Sequence, residues 1–222
     1  MKNIDFITQL HGKTSRDYVE RVIRGDKAHC AEVAKQFGRD YWDGDRKYGY
    51  GGYSYDGRWA PVARDMIDHY GLTNESVVLD VGCGKAHLLH EMKVILPGLG
   101  ISGLDVSEYA IANAKEEVRE FLDHGKAQQL PYPDNSFDLL ISITTLHNLP
   151  IDELEKAIKE IERVKKANGN SYIVVESYRN EQEKDNMLNW QLTCESFFTP
   201  QEWEWVLHRF EYTGDYSFIF FE

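Results

Sequence analysis

Cysteine is scarce in this chain of 222 residues: Cys30, Cys83 and Cys194 are all of it. An odd number without CxxC spacing excludes a disulfide framework and points to free thiols in a reducing compartment. Positive charge is also short. Lys plus Arg number 25 against 37 Asp plus Glu, a formal net charge of −12. That balance excludes a protein gripping nucleic acid over its whole surface, though not a local basic site. No apolar run approaches the length of a membrane span. The first residues, Met1-Lys2-Asn3-Ile4-Asp5, lack the apolar stretch of a signal peptide. The expected setting is cytoplasmic, with no membrane insertion and no nucleic-acid partner. Internal repeats and low-complexity tails are missing as well.

What is present suits one globular α/β domain with a real core: 42% hydrophobic and 28% charged residues. The charge is uneven. Residues 1–58 carry 11 Lys/Arg and 9 Asp/Glu, a net of +2, so the remaining 164 carry −14. Residues 1–40 read as two or three short helices. Ser15 caps Arg16 to Ile23 with Gly25 as the stop, and Asp26 caps a second segment reaching Phe37. Residues 40–58 interleave Tyr41, Trp42, Tyr48, Tyr50, Tyr53 and Tyr55 with five glycines, which predicts a loop packed over something. A helix over 58–70 ends at Gly71.

From residue 76 apolar runs alternate with helical patterns. Strands are expected at 77–81, 100–104, 124–128, 137–143 and 171–176, with two short ones near 210–213 and 216–221. Helices fall over 85–95, 107–122, the segment capped by Asp152, and most of 180–208. This pattern predicts a Rossmann-like, doubly wound, mostly parallel sheet of seven strands, with a helical and aromatic-loop cap at its N-terminal side. Ligands of such sheets sit at the carboxyl ends of the strands, where the order switches. The expected division is a cap and lid over 1–71 and a binding unit over 72–222, with monomer and homodimer both open.

The first strand ends in Asp80-Val81-Gly82-Cys83-Gly84-Lys85-Ala86. Glycines permit a tight turn and close backbone approach by a ligand. A dinucleotide fingerprint needs a third glycine at position 87, which is His87. An acid two residues before the first glycine instead resembles the D-x-G-x-G turn of class I S-adenosylmethionine (SAM)-dependent methyltransferases. Two further passages extend the resemblance: Leu104-Asp105-Val106-Ser107, 25 residues on from Asp80, and Gly125-Lys126-Ala127 followed by LPYPDNSFD. It implies SAM as cofactor, S-adenosylhomocysteine (SAH) as product, and no metal. Asp80 would order the turn near the methionine end, with the backbone of Gly82, Cys83 and Gly84 along the cofactor. Asp105 would hold the ribose, Val106 the adenine face, and Ala127 the adenine through its backbone. Lys126 stands where the family often has an acid, and Ser142 on the fourth strand completes the set. Cys83 reads as a small residue that fits, not as a nucleophile.

Methyl transfer needs positioning, exclusion of water and, for a hydroxyl or protonated nitrogen, a base. His147, after the fourth strand, is the first candidate base, and Glu176, ending the fifth, is the alternative base or anchor. Substrate contacts are expected from Tyr48, Tyr50, Tyr53, Arg58, Tyr178 and Arg179, the rings through cation–π contact and the arginines by gripping a phosphate or carboxylate. His87 and His90 read as surface or packing residues, and Trp203 and Trp205 as packing residues. YWDGDRKYGYGGY, TLHNL, VVESYRNE and YTGDYSF look like a narrower group, the small methyltransferases of bacterial surface-polysaccharide clusters, some of which build O-methyl phosphoramidate decorations. The expected function is O-methylation of a small anionic acceptor. The rivals are a small-molecule N-methyltransferase acting on an amine or amino acid, and a SAM-binding subunit without turnover of its own.

Overall fold

Six strands form one sheet in the order β3-β2-β1-β4-β5-β6, every neighbouring pair parallel, in the computed structural model of the chain. The structure describes residues 1–11, 18 and 26–222. The helix expected over Arg16 to Ile23, with its Ser15 cap, lies outside the described residues apart from Tyr18.

The strands are β1 (Val77–Val81), β2 (Gly100–Asp105), β3 (Leu122–His124), β4 (Phe137–Ile143), β5 (Lys165–Glu176) and β6 (Asp215–Ile219). The helices are α1 (Thr8–His11), α2 (Lys27–Ala34), α3 (Arg39–Asp43), α4 (Ala60–Tyr70), α5 (His87–Ile95), α6 (Glu108–Ala112), α7 (Glu116–Arg119), α8 (Ile151–Val164), α9 (Glu181–Trp190) and α10 (Pro200–Arg209). Single 3-10 turns occupy Arg46–Tyr48 and Leu146–Asn148.

The strand sequences explain the layers. Successive side chains point to opposite faces, so both faces of a covered sheet must be apolar. On one face Val78, Leu139, Ile141, Tyr172 and Val174 pack with α4 and α5 residues such as Met66 and Leu89. On the other, Leu79, Leu140, Ile173 and Val175 pack with α8 and α10 residues such as Ile158 and Trp203. The chain winds outward from β1 to β3, then returns to place β4 on the other side of β1. That reversal opens a crevice at the carboxyl ends of β1 and β4.

Several expectations are corrected. The sheet of the described residues has six strands, not seven. Residues 210–213 end α10 instead of forming a strand. Glu211 takes a left-handed φ of 61°, and the Tyr212 N–H returns to the Leu207 carbonyl at 3.0 Å, a helix-stopping arrangement. The helix expected over 107–122 is two. Asn113 bonds back to the Tyr109 carbonyl, and Lys115 is extended before α7 restarts at Glu116. β5 begins at Lys165, six residues early, across a register shift between Phe137 and Leu139. The stretch 180–208 is split by an irregular run, after which Thr199 and Glu202 form a reciprocal capping box for α10. Trp205 is not a packing residue: it lies on the solvent face of α10, 67% exposed. Trp203 is fully buried, with its Nε1–H donating to the Glu176 carbonyl at 3.0 Å.

Candidate functional site

The crevice is floored by the turn after β1. Gly82 and Gly84 have φ of +82° and +55°, and Ala86 follows at +54°, which delays α5 until His87. Any Cβ at Gly82 would lie 2.0 Å from Thr145 Oγ1, so only glycine fits against the turn after β4. Asp105, buried at the end of β2, accepts from the Gly84 N–H through Oδ2 and from the Ser107 N–H through Oδ1, each at 2.7 Å. The carboxylate at the end of β2 thereby ties down the turn after β1. Burial raises its pKa against these two bonds. Asp80 is more strongly affected. Burial first, and the neighbouring Asp105 charge second, push its pKa up to about 8.

The ring-rich segment forms the opposite wall. Trp42 stacks on Tyr50 at 5.2 Å and 6°, Tyr50 meets Tyr53 at 4.7 Å, and Tyr53 stacks on His87 at 4.9 Å. Two links pin this ladder to the floor. The Trp42 Nε1–H donates to Ser107 Oγ at 2.9 Å. Asp43 accepts from Lys85 Nζ at 2.7 and 2.8 Å, from the Tyr109 hydroxyl at 2.9 Å and from the Tyr53 N–H at 3.0 Å. These bonds hold the Asp43 carboxyl below its usual range in spite of partial burial. The Lys85 side chain is only 7% exposed and that of Asp43 26%, so the ammonium is shielded while the carboxylate keeps some contact with solvent.

The third wall comes from β4 and β5. Thr144, a β-branched residue, has φ of +55° and turns the chain sharply after β4. His147 follows on the 3-10 turn. Its Nδ1 accepts the Glu176 N–H at 3.4 Å, and its Nε2 lies 3.3 Å from Glu176 Oε2. With Nδ1 occupied as an acceptor, the neutral ring carries its proton on Nε2 and points it at the Glu176 carboxylate. Burial drives the His147 pKa down to about 3, so the ring stays neutral. Gln191 donates to the same carboxylate oxygen.

A cavity of about 330 Å³ joins these walls. Of the sequence-predicted residues, it brings together Asp80, Gly82, Cys83, Gly84, Tyr50, Tyr53, Arg58, His147 and Glu176. Others lie elsewhere. Asp105 works behind the turn, and Val106 beyond it is 45% exposed. Lys126 lines a separate surface hollow with Gln128 and Glu153. Ala127 belongs to the α8-side core. Ser142 is wholly buried and donates to the Val81 carbonyl at 2.9 Å. Tyr48 packs beside Cys30 and Ala34. Tyr178 carries Lys184 over its ring, and Arg179 is bound by Glu183 and Glu222. Arg58 is on the cavity wall but is held by Asp56 at 2.7 Å.

Sequence reasoning missed Trp42, His87, Thr144, Asn148 and Gln191 as lining residues. Of the two readings for His87 and His90, packing holds: both are buried, and burial takes the His87 pKa down to about 4. A histidine three residues after a glycine turn, opposite a tyrosine-rich loop, was the one signal available.

Comparison with known proteins follows the same lines. Residues 79–173 match a family model described as a methyltransferase domain. The demethylmenaquinone methyltransferase of Listeria welshimeri is 33% identical over 128 residues, covering 54% of this chain and 51% of that protein. The chain spans about half the length of the curated relatives it matches. Among solved structures, the YcgJ protein of Bacillus subtilis superposes with a TM-score of 0.55 at 22% identity, over 67% of this chain and 66% of that one. The geranyl diphosphate C-methyltransferase of Streptomyces coelicolor, solved with Mg²⁺, geranyl diphosphate and SAH, gives a TM-score of 0.55 at 13% identity over 66% and 58%. The structural neighbours show a Rossmann-like α/β fold. The domain match runs through the same sheet, from β1 into β5.

Proposed function

We propose that the chain transfers the methyl group of SAM to a small-molecule acceptor seated between the ring wall and the His147–Glu176 pair. One observation carries this reading. The glycine turn tied to Asp105 and the buried His147–Glu176 pair face the same cavity from the carboxyl ends of neighbouring strands. The residues present fit SAM: an acid-flanked glycine floor, ordered from behind by Asp105, and stacked rings above. Among the described residues no cluster of side chains suits a metal. SAM supplies a methyl group already activated on a sulfonium, so the protein's part is placement and dryness.

The roles of the chain's residues then follow. Trp42, Tyr50 and Tyr53 exclude water. Glu176 takes the proton from the acceptor oxygen or nitrogen as that atom gains the methyl. His147 has no ring lone pair for that proton, because Nδ1 faces the Glu176 N–H. It holds and orients the carboxylate through Nε2–H. The base role passes from His147 to Glu176. In this reading the described part of residues 1–71 serves as cap and lid and 72–222 as the cofactor unit, and the setting is the cytoplasm expected from the free thiols.

The acceptor class divides on charge. An anionic phosphate or phosphoramidate acceptor, as in surface-polysaccharide methylation, was expected from Arg58 and Arg179. Arg179 is off the cavity, and Arg58 shares its charge with Asp56. That reading keeps Arg46 and Arg58 on the wall, together with the loop resemblance. A second reading, a neutral or amine-bearing acceptor, is favoured by the rings and by Asp80 and Glu176 lining the same cavity. Labelled SAM offered with pools of phosphate, phosphoramidate, hydroxyl and amine metabolites decides, read by phosphorus NMR and mass spectrometry. Label in an amine or hydroxyl product alone removes the anionic reading. SAH binding without turnover on any pool leaves a cofactor-binding subunit in its place.

A further inference from the structure

In a doubly wound sheet the acid at the end of the second strand bonds the ribose hydroxyls of a nucleoside, at the crevice where the strand order reverses. Here that acid is Asp105, 6% exposed and off the cavity. The N–H groups of Gly84 and Ser107 hold its carboxylate. A carboxylate has about four acceptor positions, so these two bonds do not exhaust it. The indole of Trp42, itself buried, covers the same two residues. A Cβ at Gly84 would lie 2.7 Å from Trp42 Cη2 and 3.2 Å from Cζ3, so the six-membered ring rests on the glycine. The Trp42 Nε1–H donates to Ser107 Oγ at 2.9 Å and to the Phe37 carbonyl at 3.1 Å. Tyr50 stacks on the indole, 6° from parallel. A flat ring with an N–H donor, stacked on a tyrosine and seated on a glycine turn, has the features of a nucleobase in such a site. The open cavity that Trp42 lines measures about 330 Å³. Small-molecule sites run from about 300 to 1,000 Å³, so this space is small for a cofactor and an acceptor together.

We infer that Trp42 is an internal plug: its indole fills the nucleoside half of the crevice in the free chain and shuts Asp105 off from the cavity, so SAM enters by displacing it. The inference rests on the methyl-transfer reading above. The ribose reaches Asp105 only once the indole has left Gly84 and Ser107. Until then the ring keeps water from the buried carboxylate. Cofactor affinity is lowered by the small fraction of molecules whose indole is out. Anything that weakens the seat of the ring therefore strengthens cofactor binding, the reverse of what a wall residue touching the cofactor would do.

SAH and adenosine test this on the full chain without knowledge of the acceptor, the first by calorimetry and the second by ligand-observed NMR. Trp42→Phe removes the Nε1–H and keeps a ring. Ser107 Oγ retains its bonds to the Phe37 carbonyl at 2.5 Å and from the Ala110 N–H at 3.0 Å, so no buried partner is orphaned. SAH should bind this variant about fivefold tighter than the wild type, the worth of one hydrogen bond. Trp42→Ala also removes the packing of the ring and should bind SAH at least tenfold tighter. Adenosine should gain by a similar factor in each variant, because the nucleoside half is the part the ring fills. Where the alanine variant fails to fold, the phenylalanine variant decides with both ligands. Unchanged or weaker SAH binding in Trp42→Phe would overturn the inference. So would tighter SAH binding with no gain for adenosine, which would put the obstruction elsewhere in the crevice. SAH binding in the variants but not in the wild type would support the plug. No SAH binding in any of the three chains would instead overturn the methyl-transfer reading itself.

Discussion

Replacing Gly82 by alanine tests the contact between the glycine floor and the turn that carries His147. Two costs are legible. Gly82 has φ +82°, and an L-residue held in the left-handed region costs about 1–2 kcal/mol. The new Cβ would also lie 2.0 Å from Thr145 Oγ1, 2.4 Å from Cγ2 and 2.7 Å from Cβ. No rotamer removes a clash with Cβ, so the turn must move, an overpacking cost of about 1–3 kcal/mol. The total is about 2–5 kcal/mol, or a Tm lower by roughly 4–20 °C for a chain of this size. The second cost should vanish when Thr145→Gly is added. Urea unfolding of the two single variants and the double variant therefore gives a cycle with a favourable coupling of about 1–3 kcal/mol. SAH affinity should fall in Gly82→Ala and recover in part in the double variant. Additive single effects, within about 0.5 kcal/mol, would refute the contact.

Asp43→Asn strips the shielded Lys85 of its counter-charge and should cost about 3 kcal/mol in urea unfolding, with a smaller loss in the Asp43→Asn, Lys85→Met double variant. Glu176→Gln should lower kcat by about 100-fold or more, as for loss of a general base, while SAH affinity by calorimetry stays within about threefold. Burial of neutral His147 holds its pKa at about 3 against an ordinary 6.5, so the unfolded chain binds the extra proton between those values. Stability from this group is complete above pH 6.5 and lost as pH falls towards 3, and His147→Phe should flatten that acid limb of a Tm-against-pH curve.

The carboxyl-end site was legible because its markers are local. An acid before two glycines, and a second acid at the end of the next strand, declare themselves within a few residues. The apolar runs at 77–81 and 137–143 matched their strands to the residue because both faces of a central strand are buried. What failed depended on distant partners. Arg179 could be read as a clamp until Glu222, at the far end of the chain, was seen beside it. Asp43 carries no local mark of Lys85 and Tyr109, the distant partners that converge on it. His147 showed its type but not its tautomer, which is set by a backbone N–H of β5. The break near residue 113 and the helix stop at Glu211 are choices of single backbone angles, which propensity does not resolve.

The site's protonation state follows from burial in a way that couples to binding. Burial lowers His147 and His87 and raises Asp80, so each of the three is displaced towards its neutral form at pH 7. With a pKa near 8, Asp80 is about nine-tenths protonated at pH 7. It faces the cavity at the floor where a cofactor bearing an ammonium and a sulfonium would lie. Positive charge at that distance favours the carboxylate, so binding should expel the proton. SAM binding at pH 7 should then release close to one proton, with a heat that varies with the ionisation enthalpy of the buffer. SAH, which lacks the sulfonium, should release less. The released proton should disappear in Asp80→Asn, and in the wild type above about pH 9, where Asp80 is already ionised. The same displacement makes the apo chain less stable as pH rises from about 4 to 8, because the unfolded Asp80 has already lost the proton that the folded chain keeps. Asp80→Asn should therefore raise the Tm most at the alkaline end. Buffer-independent heats, together with a Tm gain that does not grow with pH, would show that Asp80 is ionised in the free protein and that its burial does not control the charge of the site.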